Sequence, residues 1–141
     1  MDDLDLTLIS ALRENARYST AELGRRLVLS RTTVQSRIER LERRGVIVGY
    51  SARLAEDHER GAVRAQVLIT VHPKEARAVE AALRAIPAVR ALHSVSGAFD
   101  MVAHVVALST AEMDALVDQI GALGGVERTT TSIILSTRFE R

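Results

Sequence analysis

Residues 31–44, RTTVQSRIERLERR, combine side chains able to read base pairs with a spacing that aims them in one direction. Val34, Ile38 and Leu41 recur at i, i+4 and i+7, the apolar stripe of a helix. The helical step then turns Thr32, Thr33, Gln35, Ser36 and Arg40 to the outer side, flanked by Arg31, Arg37, Arg43 and Arg44. Arg and Gln can pair bidentately with guanine and adenine edges, Thr can touch a thymine methyl or a phosphate, and flanking Arg side chains can neutralise backbone charge. The bland alternative is an exposed, salt-bridged helix in which Glu39 and Glu42 pair with Arg43 and Arg37.

A second constellation is Ser96-Gly97-Ala98-Phe99-Asp100. Gly97 permits a tight turn whose free N–H groups could hold a carboxylate, and Asp100 could pair with an ammonium group, so the loop suits an amino-acid zwitterion. Thr129, Thr131 and Ser132 on the last strand could add hydroxyls. An ordinary hairpin turn with an Asp bonding its own backbone, followed by ordinary strand residues, accounts for the same sequence. Catalytic patterns are missing: His58, His72, His93 and His104 lie singly, and HExxH, GxSxG and the phosphate-binding GxxxxGK(S/T) do not occur. No catalytic residue, metal ligand set or cofactor is expected.

The elements that must position these residues can be read from caps and periodicity. Leu4, Leu8, Ile9 and Leu12 fall at helical spacing behind Asp2, Asp3 and Asp5 at the acid-favouring end of the helix. Ser19-Thr20-Ala21-Glu22 fits a capping box for a short second helix ending near Leu27. Val28-Leu29-Ser30 then makes a tight turn into the third helix, which stops before Gly45. That is a helix-turn-helix spacing, and the β-rich run Val46 to Leu54 suits a small wing or a strand leaving the domain.

Residues 55–63, AEDHERGAV, read as a linker. Beyond it come a strand from Arg64 to His72, a helix marked by Ala76, Val79, Leu83 and Ile86 and stopped by Pro87, and strands from Ala88 to Val95 and Met101 to Ala107. Ser109 and Glu112 form a second capping box for a helix carrying Met113, Leu116, Val117, Ile120 and Leu123, ended by Gly124-Gly125 ahead of a closing strand from Val126 to Thr137. The order βαββαβ is ferredoxin-like, a four-stranded antiparallel sheet with both helices on one face. The fold class is therefore α+β: a helix-turn-helix, winged-helix-like domain over 1–54 and a sensing and oligomerisation domain over 64–141. Val67, Ile69 and Val71 occupy one face of the first strand and Leu68 the other, while Val102 and Val106 oppose Met101, Ala103 and Val105. Both faces read as apolar, so a sheet-to-sheet homodimer is expected.

Composition limits the function classes. The chain has 141 residues, 47% of them hydrophobic and 26% charged, with no Cys, no Trp and 3% aromatics. Disulfides, thiolate chemistry and aromatic platforms for single strands are thereby set aside, and the acidic start MDDLDLTLIS lacks a secretory pattern, so a soluble, cytoplasmic protein is expected. The net charge of +1 hides an uneven distribution, because residues 19–54 carry eight Arg against three acids. Basic charge concentrated in one block is the footprint of a duplex-binding element.

Residues 4–52 and the Ser96–Asp100 loop together resemble the Lrp/AsnC (feast/famine) family of prokaryotic transcription regulators, whose sensing domain carries a Gly-x-Tyr-Asp loop. Phe99 stands where tyrosine is usual, so a hydrogen bond from that hydroxyl is lost. The resemblance implies a regulator that binds double-stranded DNA as a dimer or a larger ring, often an octamer, and whose assembly or DNA affinity responds to a small molecule, commonly an amino acid. It also leaves room for a weakly specific architectural DNA-binding protein. Sirohaem decarboxylase subunits look like the family too, and an enzyme of that kind would draw on His93 and His104.

Overall fold

In the computed structural model, which describes residues 1–55 and 61–141, each helix of the first unit starts where a side chain can take up orphan backbone N–H groups. The chain divides into two units, Met1–Leu54 and Ala55–Arg141. Residues 56–60, which include most of the linker expected over 55–63 and His58, lie outside the described residues.

Helix α1 spans Asp3–Glu14, α2 Thr20–Leu27 and α3 Arg31–Arg43. Asp2 caps α1 and shares a full capping box with Asp5: the Asp5 N–H donates to Asp2 Oδ1 at 2.8 Å, and the Asp2 N–H points at Asp5 Oδ2 at 3.5 Å. At α2 only half of the expected box forms. Ser19 Oγ accepts from the Glu22 N–H at 3.1 Å, but the Glu22 carboxylate turns to Arg25 and Arg26. Two charged donors at i+3 and i+4 outcompete one neutral backbone N–H. Ser30 caps α3 by accepting from the Thr33 N–H at 3.1 Å.

The turn between α2 and α3 is tight. Val28 adopts the left-handed conformation (φ 56°), and the Leu29 N–H donates to the Gly24 carbonyl at 2.9 Å. Leu8, Leu12, Leu23, Val34 and Leu41 are buried together, with Ile38 packed against them, so the three helices share one small core. Helix α3 closes in a Schellman arrangement: Gly45, at φ 70°, donates to Glu42 O, and Val46 donates to Leu41 O.

The Val46–Leu54 run forms no strand, which corrects the expectation of a wing. The Val46 and Ile47 N–H groups are spent on Leu41 O, Ile47 joins the helical core, and no second strand is available in this unit for the run to pair with. β-propensity without a partner leaves the run without regular secondary structure.

The second unit is a sheet with order β2-β3-β1-β4, all neighbours antiparallel: β1 Val63–Val71, β2 Val89–Ser94, β3 Met101–Ala107 and β4 Val126–Ile134. Helix α4, Ala76–Arg84, follows a 3-10 turn at Pro73–Glu75, and α5 spans Thr110–Gly121. Ala65, Val67, Ile69, Ala103 and Val105 pack with Val79, Leu83, Met113, Leu116 and Ile120 in one core, so both helices cover the same face. At α5 Ser109 caps Glu112 N–H as expected, but the Glu112 carboxylate accepts from Leu108 N–H instead of from Ser109. Helix α4 ends at Arg84, ahead of Pro87, and β4 ends at Ile134 rather than Thr137.

The uncovered face carries Leu68, Val102 and Val106, as expected, but with polar residues among them. Pairing places Val102, Leu68 and Thr130 in one row, His104, Gln66 and Ser132 in the next, and Val106, Arg64 and Ile134 in a third. Apolar and polar positions therefore alternate across it.

Gly24 has a steric reason to be glycine. A Cβ there would lie 2.6 Å from the Leu29 carbonyl oxygen, which is backbone and can move only with the turn. Gly24→Ala should therefore destabilise by about 1–3 kcal/mol, the clash outweighing the gain in helix propensity. A melt followed at 222 nm should show a transition lowered by several degrees; an unchanged or raised transition would contradict the packing described.

Candidate functional site

The outer face of α3 is built from its cap and from its contact with α1. Arg31, Thr32, Gln35, Ser36, Arg43 and Arg44 are exposed, while Val34 and Leu41 are fully buried beneath them. The expected readers do not share one condition. Arg31, Thr32, Ser36 and Arg44 have no side-chain partner among the described residues. Thr33 Oγ1 lies 2.8 Å from Ser30 Oγ and belongs to the cap. Gln35 donates to Glu39 at 2.9 Å, and Arg43 stands 4.0 Å from Glu39.

Arg37 and Arg40 are held from below. The Asp5 carboxylate, buried at the start of α1, accepts from Arg37 Nη1 at 2.9 Å and from Arg40 Nη2 at 3.0 Å. Arg37 Nη1 also reaches Asp2 at 2.8 Å, and the Arg37 side chain is only 19% exposed against 46% for Arg40. The bland pairing of Arg37 with Glu42 is not what forms; Glu42 instead accepts from the Tyr50 hydroxyl at 2.8 Å. Arg37 is thus a tether between α1 and α3, and Arg40 is a tether with part of its guanidinium in solvent. Spacing on α3 alone could not show this, because the deciding acid lies more than thirty residues away. The signal was the buried-side position of Asp5, one turn before Leu8 and Ile9.

Burial alone would raise the Asp5 carboxyl, but the hydrogen bond from Arg37, that from the Asp2 N–H and the charge of Arg40 prevail and hold it below its ordinary value. The hydrogen bond from Arg37 is also the main cause that lowers Asp2. The charged cluster therefore fixes the axial and rotational position of α3 on α1.

In the second unit the Ser96–Asp100 loop joins β2 to β3. The Val95 N–H donates to Asp100 O at 3.1 Å and closes the turn, with Gly97 at φ 109° inside it. A Cβ at Gly97 would meet nothing within 4 Å, so the constraint there is conformational. The Asp100 side chain does not bond its own turn. Its N–H donates to Ile69 O at 2.9 Å, and its Oδ2 accepts from Val71 N–H at 2.9 Å, which pins the loop to the end of β1.

The structure adds a residue that sequence reasoning missed: the Arg128 guanidinium lies over the Phe99 ring, 5.7 Å from its centre. Arg128 pairs with Thr70 across β1 and β4, next to the Val71 that Asp100 holds. One cation and one carboxylate thus flank the same loop. No local pattern around Arg128 could have shown it, since strand pairing brings it there. The three expected hydroxyls do not form one wall: Thr129 and Thr131 alternate with Ser132, which points to the opposite face. Thr131 Oγ1 is buried without a hydrogen-bond partner among the described residues. A cavity of about 400 Å³ on the uncovered face is lined by Arg64, Gln66, His104, Val106, Ile134 and Phe139, among others, and the 96–100 loop does not border it.

A helix-turn-helix unit with exposed Arg, Thr and Gln on its last helix, joined to a ferredoxin-like unit with a charged glycine loop, defines a two-domain regulator of the DNA-binding class. Comparison with known proteins gives the same class. Residues 1–42 match the AsnC-type helix-turn-helix domain and residues 64–141 the Lrp/AsnC ligand binding domain. The chain belongs to the Lrp/AsnC family of transcription regulators. It is 36% identical over 140 residues to the HTH-type transcriptional regulator LrpA of Mycobacterium tuberculosis, covering 99% of this chain and 93% of that one. It is 33% identical to the HTH-type transcriptional regulator YezC of Bacillus subtilis, over 97% and 95% of the two chains. The crystal structure of the Mycobacterium tuberculosis leucine response regulatory protein LrpA superposes with a TM-score of 0.84 at 35% identity, over 99% and 96% of the chains. The transcriptional regulator NMB0573 of Neisseria meningitidis, solved as an L-Met complex, shares the fold with a TM-score of 0.89 at 24% identity, over 99% and 93% of the chains. No helix among the described residues is long and apolar enough to cross a membrane.

The Asp5 cluster carries a prediction with a definite sign. Carboxyls held low in the folded protein contribute stability that is fully present above the unfolded value and is lost as pH falls through it toward the lower folded value. Asp5→Asn should lower the melting temperature at neutral pH, and should lose less on going from about pH 5 to pH 3 than the parent does. Parallel pH dependences for the two proteins would mean that the cluster contributes nothing to stability.

Proposed function

We propose that this protein is a cytoplasmic, sequence-specific regulator of duplex DNA whose assembly or DNA affinity responds to an amino acid. The observation that carries the reading is the division of labour on α3: Arg37 is tied down to Asp5 and Asp2, while Arg31, Thr32, Gln35, Ser36, Arg43 and Arg44 stay on the exposed face. Of these, Gln35 and Thr32 suit base edges, and Arg31, Arg43 and Arg44 suit phosphates. Arg40 keeps part of its guanidinium in solvent and adds charge at the same face. The relatives are named as transcription regulators, which supports a regulatory over an enzymatic role.

The effector reading rests on the loop. Asp100 spends Oδ2 on Val71 and keeps Oδ1 for an ammonium group, while Arg128 and the turn N–H groups near Gly97 offer an anion a place. Opposite charges flanking one loop match a zwitterion, and the L-Met complex of the Neisseria protein agrees with that class of ligand. Leu68, Val102, Val106 and Ile134, on the sheet face the helices leave open, favour a homodimer, which would present two recognition helices to half-sites about one helical turn apart. Further assembly to an octamer fits the family.

Fluorescence anisotropy with duplex from upstream of the protein's own gene, against a scrambled duplex and over several salt concentrations, tests the DNA reading. Binding should be salt-dependent and about 10³-fold or more tighter to the specific duplex. Similar affinity for both would favour an architectural protein, and no binding at low salt would refute DNA recognition. On the same complex Asp100→Asn, which keeps an acceptor for Val71, should abolish the response to amino acids with DNA binding intact. A retained response would remove Asp100 from the effector site.

A further inference from the structure

Along one flank of its outer face, α3 and its C-cap carry a stripe of side chains. Thr33, Arg37, Arg40 and Arg44 recur at i, i+4, i+7 and i+11, so they stand one above another beside the exposed Thr32, Ser36 and Arg43. A duplex seated on the outer face brings its phosphates to such a border, and an arginine there binds them whatever the base sequence. Arg37, in the middle of the stripe, is already occupied by acids.

Its Nη1 donates to Asp2 Oδ1 at 2.8 Å, to Asp2 Oδ2 at 2.9 Å and to Asp5 Oδ1 at 2.9 Å. A carboxylate and a phosphate offer a guanidinium the same kind of paired anionic oxygens, so the two compete for one partner. The acids come from the cap and first turn of α1, where the capping box holds them in place. Asp5 is buried, but Asp2 is exposed and lies where solvent and a duplex can reach it. Asp3, next to Asp2 and equally charged, is exposed and forms no ion pair among the described residues.

We propose that Asp2, with Asp5 behind it, is a specificity determinant: a built-in substitute for DNA phosphate that holds Arg37 back from the duplex and limits binding that ignores sequence. The inference rests on the DNA reading of α3. Binding to random duplex is almost wholly phosphate neutralisation, whereas a specific complex adds contacts to base edges. Those base contacts fix where α3 sits, and a freed Arg37 then gains only what that seat allows. On random duplex the protein settles wherever charge is best matched, so a freed Arg37 gains more. Masking Arg37 therefore widens the gap between the two.

Anisotropy titrations of the full chain on scrambled duplex and on duplex from upstream of its own gene, over a range of salt, test this. Asp2→Asn removes the charge and keeps the cap, because asparagine caps a helix as well as aspartate does, and a melting temperature near the parent's shows the fold intact. The variant should bind scrambled duplex about fivefold to tenfold more tightly at about 0.1 M salt, with a slope of log K against log salt steeper by about 0.9, the value for one further phosphate. Its preference for the specific duplex should fall. Asp3→Asn, the same change of charge at an unpaired acid, should keep the parent's slope, and in an Arg37→Gln background Asp2→Asn should leave the slope unchanged. An unaltered slope in Asp2→Asn, an equal rise in Asp3→Asn, or the same rise without Arg37 would overturn the inference. Failure of every one of these proteins to bind either duplex at low salt would instead overturn the DNA reading beneath it, and this inference with it.

Discussion

The buried carboxylate of Asp5 decides how the DNA-facing unit is put together. A charge removed from water is costly unless it is paired and hydrogen-bonded, and Asp5 meets that condition only if α3 delivers Arg37 and Arg40 to the start of α1. The leucine-rich core beneath would tolerate some rotation of α3, since apolar contacts are weakly directional. The guanidinium contacts are directional, and they set which residues of α3 look outward. One acid thus orders the helix and at the same time withdraws Arg37 from the surface.

The second unit is governed by a different constraint. Two helices cover one face of a four-stranded sheet, and the residues on the other face must suit whatever meets it. Rows that alternate Leu68 and Val102 with Gln66 and His104 describe a surface of mixed character rather than a second core. The Ser96–Asp100 loop is fastened to β1, an inner strand of the sheet, by the backbone and side chain of Asp100.

Much of this could be read from the sequence because it was local. The caps at Ser19, Ser30 and Ser109, the apolar stripe of α3 and the βαββαβ order each depend on residues within one or two turns or one strand. What escaped was the choice of partner. The capping carboxylates of Glu22 and Glu112 took Arg25, Arg26 and the Leu108 N–H in place of the reciprocal box, and Val46–Leu54 had β-rich composition but no strand to join. Arg37 and Arg40 were captured by an acid in another helix, and Arg128 reached Phe99 through strand pairing. On a helix or strand, sequence spacing says which way a side chain leaves the backbone; it does not say what that side chain meets.

The central claim is that side chains on the exposed face of α3 read base edges. The direct measurement is selection of bound duplexes from a random pool by wild type and by Gln35→Arg. Glutamine favours adenine and arginine favours guanine in the major groove. The account predicts the same motif for both proteins except for a change from adenine to guanine at one position in each half-site. Identical motifs from the two proteins would contradict it.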